Sequence, residues 1–399
     1  MKVLVLNCGS SSLKYQLFDM TSEDVLAKGL VERIGIEGST IRHTKTGQAA
    51  VSTSVDIPNH KIAIRLVTEH LLDPSHGALT SLNELSAVGH RVVHGGEKFA
   101  KSVIIDQEVL TVIEDCVPLA PLHNPANLMG IRAVLEVLPD VPQVAVFDTA
   151  FHQTMPPKAF TYGLPYHYYE ESRLRRYGFH GTSHFYVANR AAEIIGRPVE
   201  ELKIVTCHMG NGSSITAVDG GKSVDTSLGF STVPGILMGT RAGDLDPVMI
   251  LHLMEQEGIT PKAMSHILHK ESGVLGISGI SSDLRDIEEA ASTGNERATL
   301  ALEMLCYGVR KYIGAYAAAM GGIDAVVFTA GIGENSVLVR QMVGEGLEFL
   351  GAKLDLAKNN IRGKEAVVSV DNSKVKILVV PTNEELVIAR DTRALVNGR

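Results

Sequence analysis

The sequence predicts an α/β protein made of two similar lobes with a ligand cleft between them, and three observations carry that expectation. A strand, a Gly/Ser turn and a second strand open the chain at residues 3–14 (VLVLNCGSSSLK). The same pattern returns at residues 204–221 (IVTCHMGNGSSITAVDGG), with Gly212-Ser213-Ser214 standing 203 positions after Gly9-Ser10-Ser11. In both halves the apolar pattern then passes from short strand-like runs to helical spacing and back. Self-similarity at about half the chain length reads as a duplicated domain. One Ser-rich turn alone is an ordinary hairpin. Two of them form a candidate phosphate site, because glycine permits close backbone approach, serine supplies N–H and hydroxyl donors, and Lys14 adds a point charge.

Taken in order, the first half predicts strands at 2–6, 13–18 and 25–31, each an apolar run bounded by polar or glycine turns. A helix is expected at 60–72, followed by strands at 87–93 and 144–147 that enclose a helix at 127–138. The second half predicts strands at 204–207, 214–218 and 222–225, helices at 247–255 and 296–320, and a strand at 325–328. A boundary just after Asp148, ahead of Met155-Pro156-Pro157, gives a first lobe over 1–150 and a second over 151–384. A final helix, about 385–399, is expected to pack back on the first lobe.

Composition narrows the function classes. Hydrophobic residues at 45% and charged residues at 21% are globular values. The net charge of −8 argues against a general nucleic-acid or membrane-surface role, which calls for a basic face. Cys8, Cys116, Cys207 and Cys306 form no CxxC pair, so neither a disulfide framework nor a zinc knuckle is indicated. No basic segment followed by an apolar one opens the chain, and no apolar run reaches the roughly 18 residues of a membrane span, so a cytoplasmic location is expected.

The common nucleotide signatures are absent. The nearest approach to a Walker A loop, GGEKFAKS at residues 95–102, has Ala100 where the second glycine belongs. Gly210-Asn211-Gly212 and Gly331-Ile332-Gly333 both lack the third glycine of a dinucleotide fingerprint, and no protein-kinase glycine loop occurs.

A different set of motifs runs through the whole chain: VLVLNCGSSSLK, GHRVVHGG, PLHNPAN, VAVFDTAFHQTMP, RRYGFHGTSH, HMGNGSS, MGTRAGDLDP, SSDLRDIEEA, FTAGIGENS and PTNEE. In this order they resemble the acetate kinase family, within the superfamily of sugar kinases, heat-shock chaperones and actin. The resemblance implies a duplicated actin-like ATPase fold of the ribonuclease H-like type. It implies reversible, magnesium-dependent transfer of the ATP γ-phosphoryl group to acetate, giving acetyl phosphate and ADP by direct in-line transfer, with manganese able to replace magnesium. A homodimer is also implied.

By that resemblance, Arg91 binds the carboxylate or the phosphoryl group, for which a guanidinium fork is suited. Arg241 and His180 stabilise charge on the migrating phosphoryl group. Asp148, at the end of a strand, is the family's proton-transfer group. A carboxylate acceptor with a pKa near 4 is already ionised at neutral pH, so Asp148 is instead expected to orient magnesium or a cation. Asn7 and Glu384 are the metal candidates, as oxygen donors suited to magnesium. ATP is assigned to Ser10, Ser12, Lys14, the run His208, Met209, Gly210, Asn211 and Gly212, the run Asp283, Leu284 and Arg285, and the run Gly331, Ile332, Gly333, Glu334 and Asn335. Val93, Leu122 and Phe179 are expected to wall a small acyl pocket.

The chain departs from the family pattern at one place. Ahead of Met-Gly-Thr-Arg it carries Ser231-Thr232-Val233-Pro234-Gly235 instead of Thr-Pro-Leu-Glu-Gly, which shifts a pocket-lining proline. A propionate or butyrate kinase is therefore an alternative, since one methylene changes pocket affinity by only about 1–3 kcal/mol. A switch ATPase of the actin or chaperone type is the alternative from another class. It needs neither Arg91, His180 and Arg241 together nor a carboxylate acceptor.

Overall fold

The structure is a computed structural model that describes residues 1–398. It divides into two compact units, one formed by Met1–Phe151 with the C-terminal segment from Asn383, the other by His152–Thr382.

The first unit holds eight strands: β1 (Lys2–Cys8), β2 (Ser12–Asp19), β3 (Asp24–Glu32), β4 (Thr40–Lys45), β5 (Val51–Ser54), β6 (Leu85–Val92), β7 (Val103–Ile104) and β8 (Gln143–Phe147). They form one sheet in the order β5-β4-β3-β2-β1-β6-β8-β7. β1, β2 and β3 run antiparallel as hairpins, β6 and β8 lie parallel to β1, and β7 closes the edge antiparallel to β8. Leu4, Leu6 and Cys8 alternate along β1 into a core shared with Ala63, Ile64, Val67 and Leu71 of the helix His60–Leu72. That helix starts where the Asn59 side chain accepts from the Ile62 N–H. A second helix, Asn124–Val137, seats Gly130 directly on Cys8, where any β-carbon would clash with the sulfur. It begins three residues before its predicted start at 127, because Pro125 preorganises its first turn.

The second unit holds β9 (Lys203–Met209), β10 (Ser213–Asp219), β11 (Lys222–Thr226), β12 (Ala325–Thr329), β13 (Ala366–Val367) and β14 (Lys376–Val379), in the order β11-β10-β9-β12-β14-β13. β9, β10 and β11 are antiparallel, β12 and β14 are parallel to β9 and β12 respectively, and β13 is antiparallel to β14. This repeats six of the eight strands of the first sheet in order, from the meander β3-β2-β1 to the antiparallel edge β7, and leaves β4 and β5 without a counterpart. The duplicated actin-like α/β fold is thus present in the topology itself.

The register corrects the sequence alignment of the two halves. Cys8 pairs with Leu13 and Asn7 with Lys14 in the first hairpin; Met209 pairs with Ser213 and His208 with Ser214 in the second. Gly9 therefore corresponds to Gly210 rather than Gly212, and Lys14 to Ser214. The first turn is one residue longer than the second, a difference that a match of Gly-Ser-Ser triplets cannot register.

Within the second sheet, Val205, Cys207, Met209, Ile215 and Ala217 face a core built on the long helix Glu296–Met320. The alternate residues Thr206, His208, Ser214 and Thr216 are buried and polar. The helix Gly181–Ile195, absent from the sequence reading because Ser183 and His184 interrupt its apolar face, brings those two polar side chains to this row. It follows β8 in the chain yet packs on the second sheet, while Glu384–Asn397, which follows β14, packs on the first. Gly89 permits that last contact, since a β-carbon there would meet Thr392 and Ile388. Arg399, the last residue of the expected 385–399 helix, lies outside the described residues. The sequence reading also left out β4, β5, β7, β13 and β14 and the helices Gln107–Asp115 and Leu284–Ser292, all short or polar. Among the described residues, no helix is long and apolar enough to cross a membrane.

Candidate functional site

In the first unit, the parallel strands β6 and β8 end side by side, with Arg91 and Val92 on one and Asp148 directly after the other. Arg91 grips Asp148 with two hydrogen bonds, Nε to Oδ1 at 2.8 Å and Nη2 to Oδ2 at 2.6 Å. Glu384, the first residue of the C-terminal helix, stands 3.6 Å from Arg91 Nε. Burial opposes the charge on Arg91, but Asp148, Glu384 and Glu385 outweigh it and hold the guanidinium protonated. The Glu384 carboxyl is pushed up to about 7, first by burial and then by Asp148 and Glu385, with Arg91 and Lys14 opposing.

The sequence motifs around this cluster acquire mechanical reasons. Asn127 accepts the Val93 N–H at 3.0 Å and donates to the Cys8 carbonyl at 3.0 Å, tying the end of β6 to the turn after β1. Asn124 accepts the His94 N–H and returns a hydrogen bond to the His94 carbonyl. The two asparagines of PLHNPAN thus satisfy backbone that the sheet leaves behind, which frees Arg91 to project from a fixed strand end. Asn7 and Lys14, paired across the β1–β2 hairpin, line one groove of about 460 Å³ with Lys28, Arg42 and Glu385. In the turn between the two strands, the Gly9 N–H donates to the Ser12 carbonyl at 2.8 Å, and Ser10 is exposed. Val93 is half-buried, whereas Leu122 is 64% exposed.

In the second unit, the turn Gly210-Asn211-Gly212 joins β9 to β10, held by the Ser213 hydroxyl donating to the Gly210 carbonyl at 2.9 Å. Arg241 lies against it. Among the described residues its guanidinium donates to the Thr232 carbonyl at 3.3 Å and to Met238 Sδ at 3.9 Å, and it forms no ion pair. Burial pulls its pKa down, as expected of a desolvated cation without a counter-ion.

His180 sits beside this turn with backbone φ 57° and ψ 24°, the left-handed region that few non-glycine residues occupy. Its ring stacks on His208 at 4.1 Å and 18°, and its Nδ1 lies 2.8 Å from Ser214 Oγ. Behind it, His184 Nε2 is 2.7 Å from the same Ser214 Oγ and its Nδ1 is 2.7 Å from Thr206 Oγ1. Ser183 Oγ joins His208 Nδ1 to Thr382 Oγ1, each at 2.8 Å. Burial, reinforced by His152 and His208, holds the His184 pKa well below the usual imidazole range. Phe179 is buried, its carbonyl 2.9 Å from His152 Nε2.

A groove of about 530 Å³ in the same unit gathers Gly210, Asn211, Asp283, Leu284, Arg285, Gly331, Ile332 and Asn335. Three segments far apart in the chain meet there, and the groove adds Ser282, Glu288, Ser336 and Arg362, which are not among the residues expected to hold ATP. Met209 points into the core, so its side chain is not available to a ligand. Glu334 accepts the Thr382 N–H at 3.1 Å, and the Gly333 carbonyl takes Arg340. Asp283 caps the helix Leu284–Ser292 and pairs with Arg285, whose hydrogen bond brings its carboxyl down to about 2. Ser183, His184 and Ser214 were likewise unnamed as site residues. Their sequence signal lies in the motifs RRYGFHGTSH and HMGNGSS, which carry all three.

An unneutralised guanidinium beside a Gly-rich turn can bind an anion, and a carboxylate-gripped arginine at a strand end can orient a second one. Comparison with known proteins fits that chemistry. The chain matches the acetokinase family over residues 2–390. It is 61% identical over 396 residues to an acetate kinase of Carboxydothermus hydrogenoformans, covering 99% of each chain, and 61% identical over 399 residues to one from Caldanaerobacter subterraneus, covering all of both. Among solved structures, Porphyromonas gingivalis acetate kinase superposes with a TM-score of 0.96 at 52% identity, covering 99% of each chain. A propionate kinase from Francisella tularensis superposes at 0.92 with 39% identity, also over 99% of each.

Proposed function

The chain belongs to the acetokinase family, and from that premise we propose how its residues divide the work. It is a phosphotransferase with a carboxyl group as acceptor, transferring a phosphoryl group between ATP and acetate. Arg91, preset by Asp148, binds the acetate carboxylate or the acyl phosphate. Arg241 and His180 stabilise the negative charge on the migrating phosphoryl group, which passes in line from donor to acceptor. The groove at Asp283–Arg285 and Gly331–Asn335 receives the nucleoside, and the β9–β10 turn its phosphates. Ser10, Ser12 and Lys14 add donors to the phosphates, and Val93, Leu122 and Phe179 face the acyl group. The observation that carries this reading is the isolated Arg241 cation beside Gly212.

Asp148 engages both of its oxygens with Arg91, so we assign it an orienting role and no proton transfer. The donor set fits magnesium, or manganese in its place. It is made of oxygen atoms, and the Glu384 carboxyl, raised by burial beside Asp148 and Glu385, is one that a nearby cation would return to its ionised form. Among the described residues, no group of three or more His, Cys, Asp or Glu side chains is placed to hold a metal. Asn7 and Glu384 would hold the ion together with substrate phosphates, since magnesium commonly takes only one or two protein groups in such sites. When bound, magnesium supplies neutralisation of the phosphate charge. A homodimer in the cytoplasm completes the reading.

The test is ADP formation with acetate, propionate, butyrate or no acid, with the acyl phosphate trapped by hydroxylamine as the hydroxamate. Acetate-dependent hydroxamate is expected, and the ratio across the acids reads the width of the acyl pocket. ADP release that ignores the carboxylate and yields no hydroxamate would reject it in favour of a switch ATPase.

A further inference from the structure

The second hairpin carries a hydroxyl where the first carries a lysine. Ser214 occupies the place of Lys14, and its Oγ lies between two imidazoles, 2.8 Å from His180 Nδ1 and 2.7 Å from His184 Nε2. A serine hydroxyl has a single hydrogen. It can donate to only one of these nitrogens and must accept from the other, so at least one of the two facing nitrogens carries a proton. His184 is wholly buried, and its remaining nitrogen is held by Thr206 Oγ1 at 2.7 Å. When the buried ring takes the hydroxyl hydrogen at its Nε2, His180 Nδ1 is obliged to be the protonated nitrogen, so the tautomer of His184 bears on that of His180. Backbone geometry and the flat stack on His208 leave the His180 ring little freedom to escape by turning.

We propose that Ser214 and His184 are positioning residues that fix His180 in one ring orientation and one tautomer, so that its Nε2 meets the migrating phosphoryl group in a defined protonation state. The proposal rests on the reading of His180 as a group that touches that phosphoryl. A simpler role for such a network is to satisfy buried polar atoms beneath the helix Gly181–Ile195. That role predicts damage to folding that is independent of His180, whereas positioning predicts an effect that exists only while His180 is present.

The experiment is a double-variant cycle with Ser214→Ala, His180→Ala and the two combined, assayed as trapped hydroxamate at saturating ATP and acetate. We expect Ser214→Ala to lower kcat about tenfold to a hundredfold, the range for removing a group that orients a functional histidine, with both KM values within about twofold. Added to His180→Ala, it should have no further effect. Ser214→Thr, which keeps the hydroxyl, should restore most of the turnover and provides a folded comparison if the alanine variant is unstable. Nitrogen-15 NMR of labelled histidines gives a readout besides activity. The His180 nitrogens should report one tautomer in the parent protein and a mixture in Ser214→Ala.

Losses that multiply in the double variant, or a Ser214→Ala enzyme with parental turnover and an unchanged His180 spectrum, would overturn the proposal. Parental turnover in His180→Ala alone would reject the catalytic reading of His180. A tautomer change in the Ser214→Ala spectrum would still show that Ser214 positions the ring.

Discussion

Arg241 rests so closely on Gly212 that a β-carbon at residue 212 would stand 3.1 Å from its Nη1. The backbone of Gly212 is not in a left-handed conformation, so the glycine is required for space alone. Gly212→Ala should therefore fold normally and displace the guanidinium by a few tenths of an ångström. Misplacement near the reacting centre can cost about a hundredfold in rate, and for this smaller shift we expect about a tenfold loss of kcat with little change in melting temperature. Parental turnover would show that Arg241 is not set by this contact.

Two arginines assigned to the same reaction should fail in different ways. Arg241→Ala removes a cation that has no counter-ion among the described residues, so turnover should fall about a hundredfold or more while stability is kept or improves. Arg91→Ala should lose turnover to a similar degree but also strands Asp148, which is 1% exposed. Breaking a buried pair from one side costs about 3–5 kcal/mol, which denaturant unfolding would register as a lowered midpoint. Equal stability of the two variants would contradict this account of the pairs.

Asp148→Asn separates orientation from proton transfer. The amide keeps the shape but offers only one acceptor to the Arg91 fork, so turnover should stay low at every pH. A rate that recovers as the pH is raised would show that Asp148 acts as a base after all.

Buried histidines set an acid limit on stability. Burial pulls the His90 pKa down to about 4, only partly offset by its hydrogen bond to Gln143 at 2.7 Å, and burial with its histidine neighbours also holds His184 well below the usual imidazole range. The unfolded chain takes up these protons near pH 6.5 and the folded chain does not. Stability is thus fully present above about pH 6.5 and is lost progressively as the pH falls toward 4, by about 3 kcal/mol for His90 alone. Urea midpoints measured between pH 7.5 and 4.5 should fall; constant midpoints would mean that these rings protonate without cost in the folded state.

Thiol chemistry should be silent until the protein opens. Cys8, Cys116, Cys207 and Cys306 are all free and buried, and burial raises every one of their pKa values, Cys116 to about 11 and Cys8 and Cys306 to about 12. A thiol reagent should label none rapidly in the native state and all four in denaturant. Rapid native labelling of one would reveal local opening at that position.

The sequence by itself determined the class of the fold, the duplication and the residues at strand ends and turns. Those features are local: apolar alternation makes β1 and β9, and glycines with serines make the turns after them. Arg91, Asp148 and Arg241 were legible because they stand in motifs at such places. The sequence could not fix which residues of the two hairpins correspond, because turn length is settled by cross-strand pairing, and pairing put Ser214 where the first hairpin has Lys14. Nor could it assemble the row Thr206, His208, Ser214 and Thr216 with Ser183 and His184, since a strand and a helix meet there only after the helix following β8 has packed on the second sheet. Side-chain partnership across such distances depends on the packing of whole elements. The tertiary structure alone decided that Arg241 stands without a counter-ion among the described residues and that His180 is held by the Ser214 hydroxyl.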